Sequence, residues 1–422
     1  MTATLENTAR RRRGARPLHP HRAFWVVTAT MVTVLFASAA PSPLYPVYQQ
    51  LWGFSPFTLT VVFAIYVATM LVSLLTVGSL SDHIGRRPVL AVALVLLIGS
   101  MVLFVVADSV GLLIAARALQ GLATGAAIGT LTATVVDMQP SERLGSAITG
   151  AGPTLGLAAG VVVAGVLVQY APAPRFLVYE VTLAVFAILL VALLIIPETS
   201  QRVGFDSRRH MWRTLAPQAS VPSALRKLFV TAIPAFVATW SMGGLYLSLG
   251  SSVVARVFGI ANHGAAGAVL FVFFASGAVT SLAITTWDAS TKLTYGYPAL
   301  AGGAIISLAG VLTSTLPLYI VGSIIAGSGF AATFLGALDN LSSQTPSHQR
   351  GQVFSAVFIT SYIAFSVPAV IAGLVVSHIG LQETVVCYVA YVLAVTVLGA
   401  LVTAWTRIRR DRVGRDSSHT RG

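Results

Sequence analysis

The chain has 422 residues, of which 56% are hydrophobic and 9% charged, and its formal net charge is +13. An ordinary soluble domain carries roughly a quarter charged residues and has no series of apolar runs of about 20 residues, the length that crosses a bilayer core. The composition therefore excludes a soluble domain and predicts an all-α polytopic membrane protein. The basic residues fall between or beyond the apolar runs, at 10–22, 202–227 and 407–421, with no basic helix of interleaved aromatics. Cytoplasmic loops of membrane proteins carry such an excess, so nucleic-acid binding is not expected. Cys387 is the sole cysteine, which rules out an intrachain disulfide and a multi-cysteine metal site.

In chain order, a basic tail (1–22) precedes an apolar run from Ala23 to Ala40. The run mimics a secretory signal, with Ala37-Ser38-Ala39 as a cleavage-like site, but it exceeds the usual signal core and predicts an uncleaved first helix. Twelve spans are predicted, at about 23–48, 57–80, 88–107, 111–135, 145–169, 175–196, 227–250, 264–285, 297–314, 317–338, 352–376 and 382–405. Backbone in lipid must satisfy its own hydrogen bonds, so these are helices. Pro41, Pro43 and Pro46 either bend the end of the first helix or terminate it. The segment 197–226 divides the chain into an N-terminal bundle (23–196) and a C-terminal bundle (227–405), followed by a basic tail (406–422). Arginines concentrate in the tails, the central segment and alternate loops, while the opposite loops hold only Arg175 and Arg256. By the positive-inside rule both termini are cytoplasmic.

Between the second and third spans lies Gly-Ser-Leu-Ser-Asp-His-Ile-Gly-Arg-Arg, residues 78–87. Gly78, Asp82, Gly85, Arg86 and Arg87 match the pattern G-x-x-x-D-(R/K)-x-G-R-(R/K), with His83 where Arg or Lys is usual. This loop resembles that of major facilitator superfamily transporters. The resemblance extends to Pro197-Glu198-Thr199, which looks like the usual end of the family's sixth helix, and it covers almost the whole chain. It implies two pseudo-symmetric six-helix bundles, the major facilitator fold, built as parallel repeats. Arg143 and Arg350 each follow a short loop beginning near a proline, and Asp82 with Arg86 is echoed by Asp288 with Lys292 at the same step. In the family the carboxylate at the Asp82 position meets the start of the eleventh helix and latches the bundles on the inner side, the gate of a rocking-bundle cycle. The competing reading is a topology signal, with Arg86 and Arg87 anchoring the loop inside.

Arg117-Ala-Leu-Gln120-Gly121 resembles the R-x-x-Q-G signature of proton-coupled members. The resemblance implies proton coupling or substrate contact at Arg117 and Gln120. The alternative is that Arg117 snorkels to the outer surface. Gly121, Gly125 and Gly129 form a stripe that lets a neighbouring helix come close. The first span holds no carboxylate, and by elimination Glu180 is the candidate proton carrier, against a null of an interfacial salt bridge. In the fifth span the exporter-like glycine signature reads Gly156, Gly160, Val161, Ala164, Gly165, with valine at the proline position.

The resemblance places the transport path along the first, fourth, seventh and tenth helices. Tyr45, Thr124, Trp240 and Tyr246, with Tyr66 and Tyr362 from neighbouring helices, are then candidate cavity residues, against a null of packing or interfacial belt. No charged residue falls well within spans seven to eleven, which favours a neutral or lipophilic small-molecule substrate. The reading is a secondary active transporter exporting such molecules against protons. The rivals are an uptake symporter and a non-transporting receptor or scaffold. No catalytic residue, metal site or cofactor is predicted: H-E-x-x-H, a nucleophile elbow and a Walker motif are all absent from the sequence. The preference for Arg over Lys suits a bacterial genome, hence a bacterial plasma membrane, and a monomer is expected.

Overall fold

In a computed structural model the described residues are 18–77, 80–200, 221–346 and 349–419, without the side chains of 82, 350, 351 and 407–419. Among them the regular elements are all helical. Twelve long helices carry the fold: α1 (Pro20–Ala39), α2 (Pro56–Val77), α3 (Arg86–Val106), α4 (Val110–Met138), α5 (Glu142–Tyr170) and α6 (Leu177–Leu193) form the first half. The second half comprises α7 (Arg226–Ser248), α8 (His263–Ala283), α9 (Ala289–Leu312), α10 (Leu316–Ser343), α11 (Arg350–Ile379) and α12 (Leu381–His419). Eleven segments are long and apolar enough to cross a membrane. The twelfth, α6, has 17 residues, about 26 Å of helix, at the lower limit for spanning.

Residue chemistry sets the ends of these helices. Pro20 opens α1 at a position where its missing N–H costs nothing. Ser141 caps α5 by accepting Leu144 N–H at 3.3 Å, and Asn262 caps α8 by accepting Ala265 N–H at 2.9 Å. The first span is not one continuous helix to residue 48. It stops at Ala39, turns through Ser42–Leu44, and resumes as a short helix, Tyr45–Trp52, which Gly53 closes in a left-handed conformation (φ 62°). Pro41 and Pro43 donate no backbone hydrogen bond, so the carbonyls of Ala37 and Ala39 lose their regular acceptor role.

The packing shows a repeat. In the first half α2 packs on α4, α3 on α4, α1 on α4, α5 and α6, and α3 on α6. Adding six to each number gives the packing of the second half: α8 on α10, α9 on α10, α7 on α10, α11 and α12, and α9 on α12. The two halves meet along α5 with α8 and α2 with α11, pairs that the same operation interchanges. Small residues make the close crossings possible. A Cβ on Gly121 would lie 2.2 Å from the Tyr66 carbonyl oxygen, and one on Gly125 equally close to that of Met70, which seats α4 against α2.

With twelve helices running alternately up and down, the start of α1 and the end of α12 lie on one face, here termed the tail face. Hydrogen bonds between the halves gather at the opposite, far face. Ser42 Oγ donates to Leu247 O at 2.8 Å, and Ser251 Oγ donates to Ser42 O at 3.0 Å. His263 N–H donates to Gln169 Oε1 at 2.8 Å, and Asn262 Nδ2 donates to the Tyr170 hydroxyl at 3.0 Å. The far face is therefore sealed in this structure.

Candidate functional site

Beside the seam of the two halves, toward the far face, one guanidinium is enclosed. Arg117 lies two turns into α4, about 10 Å from its start, and is buried. It does not snorkel, because acceptors are supplied beside it. Its Nη1 donates to Ser38 O at 3.1 Å and to Gln120 Oε1 at 2.6 Å. Gln120 Nε2 donates in turn to Ala37 O at 2.8 Å. The fourth residue after Ala37 is Pro41, which has no N–H, so the proline break in α1 leaves the carbonyl that Gln120 takes. The C-terminal carbonyls of α1 also carry roughly half a negative charge. Tyr66 covers the guanidinium from α2, with Cζ 4.3 Å from its ring centroid, an attraction worth up to about 2 kcal/mol when desolvated. The Tyr66 hydroxyl donates to Ser38 Oγ at 2.9 Å.

Around this core the structure brings together most of the cavity candidates. The Tyr45 hydroxyl stands within the field of Arg117, and Thr124 lies one turn below Gln120, beside Tyr66. From the second half, Trp240 of α7 packs edge-to-face on Tyr362 (4.9 Å) and Phe365 (5.4 Å), and Phe365 meets Phe63 of α2 at 5.0 Å. The result is one cation on the first-half side and an aromatic wall on the other. Phe63 and Phe365, which carry this wall across the interface, escaped sequence reasoning; only their position on α2 and α11 would have marked them.

Tyr246 is elsewhere. It stacks on Phe273 at 4.1 Å and shares a hydrogen bond of 2.6 Å with Ser323 inside the second half. It lines a cavity of about 10 Å³ with Met242, Ser307 and Tyr319, room for roughly one water.

Glu180 is not where a proton carrier was expected. Pro172, Ala173 (φ 57°) and Pro174 carry the chain through a turn, α6 begins only at Leu177, and Glu180 sits exposed in its first turn. The late start leaves it at the helix end rather than inside the span. None of the chain's acidic residues occupies the middle of a span.

The tail face holds the loop motif. Gly78 lies outside the described residues, and only the backbone of Asp82 is described, so a contact of its carboxylate with α11 is not among the features seen. Gly85 (φ 108°) gives the sharp entry to α3 that a side chain would oppose. Glu198 accepts the backbone N–H groups of Arg86 (2.8 Å) and Arg87 (3.3 Å) at the start of α3, and those of Thr199 (3.1 Å) and Ser200 (3.2 Å). Arg87 donates to the Leu194 carbonyl. Arg86 pairs with Asp137 at the end of α4 (3.4 Å), and Thr199 Oγ1 donates to the same carboxylate at 3.0 Å.

The second half repeats the ion pair: Lys292 of α9 meets Asp339 of α10 at 2.5 Å. Asp288, the sequence echo of Asp82, caps α9 through Ser290 and Thr291 N–H. The Thr291 hydroxyl in particular holds its carboxyl below the usual range.

Removal of the Glu198 carboxylate tests this lattice. Glu198→Ala strips the cap from α3 and is expected to lower stability by about 1–2 kcal/mol, read as a reduced unfolding temperature in detergent, with Glu198→Gln intermediate.

Known proteins share these features to different extents. The chain is similar to proteins named multidrug resistance protein MdtD in Escherichia coli (strain K12) and Shigella sonnei (strain Ss046), with 28% identity over 190 residues. That match takes in 44% of this chain and only 38% of theirs. The crystal structure of the human organic anion transporter MFSD10 (TETRAN) superimposes over 90% of this chain and 100% of that one, with a TM-score of 0.62 and 18% identity, a likeness of fold. The sequence pattern of the Major Facilitator Superfamily matches residues 27–369, from the first helix into the eleventh; with twelve long helices in two sets related by a shift of six, the chain belongs to that family of membrane transporters.

Proposed function

We propose that the chain is a proton-coupled exporter of small, mostly apolar molecules, working by alternating access at the interface between its halves. The observation that carries this reading is the cluster of Arg117, Tyr66, Trp240 and Tyr362 at the seam, shut from the far face by the hydrogen bonds of Ser42 and Gln169. A site enclosed on one side at the repeat interface is the arrangement that rocking of two bundles requires. The aromatic wall suits a lipophilic body. The R-x-x-Q-G resemblance supports protons as the coupling ion, and the likeness to the MdtD proteins supports export. The basic tail face is then cytoplasmic, in the plasma membrane of a bacterium.

Inside-out vesicles test direction and coupling together. With an acid lumen they should accumulate lipophilic compounds from a mixed panel, about tenfold for each pH unit if one proton exchanges for one neutral substrate. Accumulation only in right-side-out vesicles would show uptake, and accumulation indifferent to the gradient would remove the proton.

A further inference from the structure

The polar atoms left over around Arg117 are a nitrogen that can only donate and two hydroxyls. Arg117 Nε, the Tyr45 hydroxyl and the Thr124 hydroxyl are all buried and make no hydrogen bond. The residues themselves are 1%, 1% and 0% exposed. Across the interface Trp240 Nε1 is buried and unpaired as well. Guanidinium and indole nitrogens only donate, and neither can be satisfied by turning round to accept. A buried polar group without a partner is costly, and a buried charge more so.

Charge leads to the same place. No carboxylate among the described residues pairs with Arg117; Arg86 with Asp137 and Lys292 with Asp339 pair at the tail face. The α1 carbonyls and the Tyr66 ring face offset part of the charge. Part of the positive charge is left over, and the remaining donors are those that would receive a negative group.

We infer that the transported molecule is a lipophilic anion, whose single carboxylate-type group lodges against Arg117, Tyr45 and Thr124 while its apolar body lies on Trp240, Tyr362 and Phe365. The inference rests on the transporter reading and names its substrate class. It also revises the expectation of a neutral substrate. That expectation followed from the lack of charges in the second half, which supplies only the apolar side of the site. The amphiphile spans both halves, acid on one and body on the other, so its binding is felt by both bundles.

Matched acids and amides separate charge from shape. For the purified full chain in detergent, the unfolding temperature is measured with 1-naphthoate and decanoate and with the corresponding amides, 1-naphthamide and decanamide. A ligand that binds the folded state raises that temperature by an amount that grows with the logarithm of its concentration over its Kd. At least one acid should stabilise the protein beyond its own amide. The preference should vanish in Arg117→Met and weaken roughly tenfold in affinity in Tyr45→Phe and in Thr124→Val, the scale of one hydrogen bond to a charged group. Amides matching their acids, or an acid preference that survives in Arg117→Met, would overturn the inference. Should Arg117→Met fail to fold, an undiminished preference in both hydroxyl variants would overturn it instead. Acid binding without vesicle transport in either direction would defeat the export reading alone, whereas export of amides as readily as acids would defeat this one alone.

Discussion

Arg117→Met should cut transport at least a hundredfold and lower the unfolding temperature only modestly. The two outcomes separate a substrate-binding arginine from a structural one. Burying an arginine in a membrane span costs at most about 2.5–3.5 kcal/mol on insertion scales, the figure for a helix centre, and methionine relieves that cost while filling similar space. Against this, the substitution forfeits the bonds of Nη1 to Ser38 O and Gln120 Oε1 and the contact with the Tyr66 ring. Hydrogen bonds from a charged donor contribute about 1.5–3 kcal/mol each, so these losses outweigh the relieved burial by a modest margin in the empty protein. In the loaded protein the loss is larger, because an anion would lose its only cation. Truncating one member of a buried, hydrogen-bonded charge pair costs about 2–5 kcal/mol, and 3 kcal/mol already exceeds a hundredfold. Arg117→Lys should recover part of the transport, since the charge returns without the further donors, Nε and Nη2, that a guanidinium presents. A large fall in unfolding temperature, with transport reduced only in step with the amount of folded protein, would make Arg117 a clamp on α1 and nothing more.

Much of the architecture can be read from residue order. Apolar runs long enough to span are visible in any window, and the echo of Arg143 by Arg350 already hints at the shift of six that the helix packing displays. Ends are harder, since they depend on local exceptions. The first span looks continuous to residue 48, yet three prolines within six residues stop it at Ala39. Pro172 and Pro174 likewise delay α6, which is why Glu180 looks interior in the sequence and lies at a helix end in the structure.

The site was legible in parts. Arg117, Gln120, Tyr45, Tyr66, Thr124, Trp240 and Tyr362 all stand out by residue type, but type alone does not say whether an arginine two turns into a helix turns outward or inward. That choice is made by α1, whose proline break frees carbonyls facing α4. Tyr246 belongs to the right helix yet faces Phe273 and Ser323 within its own half, a matter of rotation about the helix axis that no composition reveals. The same break in α1 does a second thing. Ser42, which seals the far face, lies between Ser38, which holds Arg117, and Tyr45, which stands beside it. Opening the seal must therefore disturb the site, and filling the site must bear on the seal.

That linkage is exposed most directly by wedging the far face apart. Gly165 of α5 and Gly267 of α8 cross at backbone contact: a Cβ on Gly165 would fall 2.5 Å from His263 O, and one on Gly267 equally close to Val161 O. Both obstacles are main chain, so no side chain can swing aside. Gly165→Leu should therefore oppose the sealed state and spare the opened one, in which α5 and α8 have parted. Overpacking of this kind costs about 1–3 kcal/mol, and a bias of 3 kcal/mol moves a two-state population by roughly a hundredfold. The expected result is a protein that folds, binds from the far side and does not cycle. Cysteine labelling reads the shift: after Cys387→Ser removes the exposed native thiol, Thr124→Cys should resist a membrane-impermeant maleimide added at the far face. In the Gly165→Leu background the same position should label rapidly. Equal labelling in the two backgrounds, with transport intact in Gly165→Leu, would mean that α5 and α8 need not meet at this crossing for the halves to rock, and the far-face seal would then have to be sought in the hydrogen bonds of Ser42 alone.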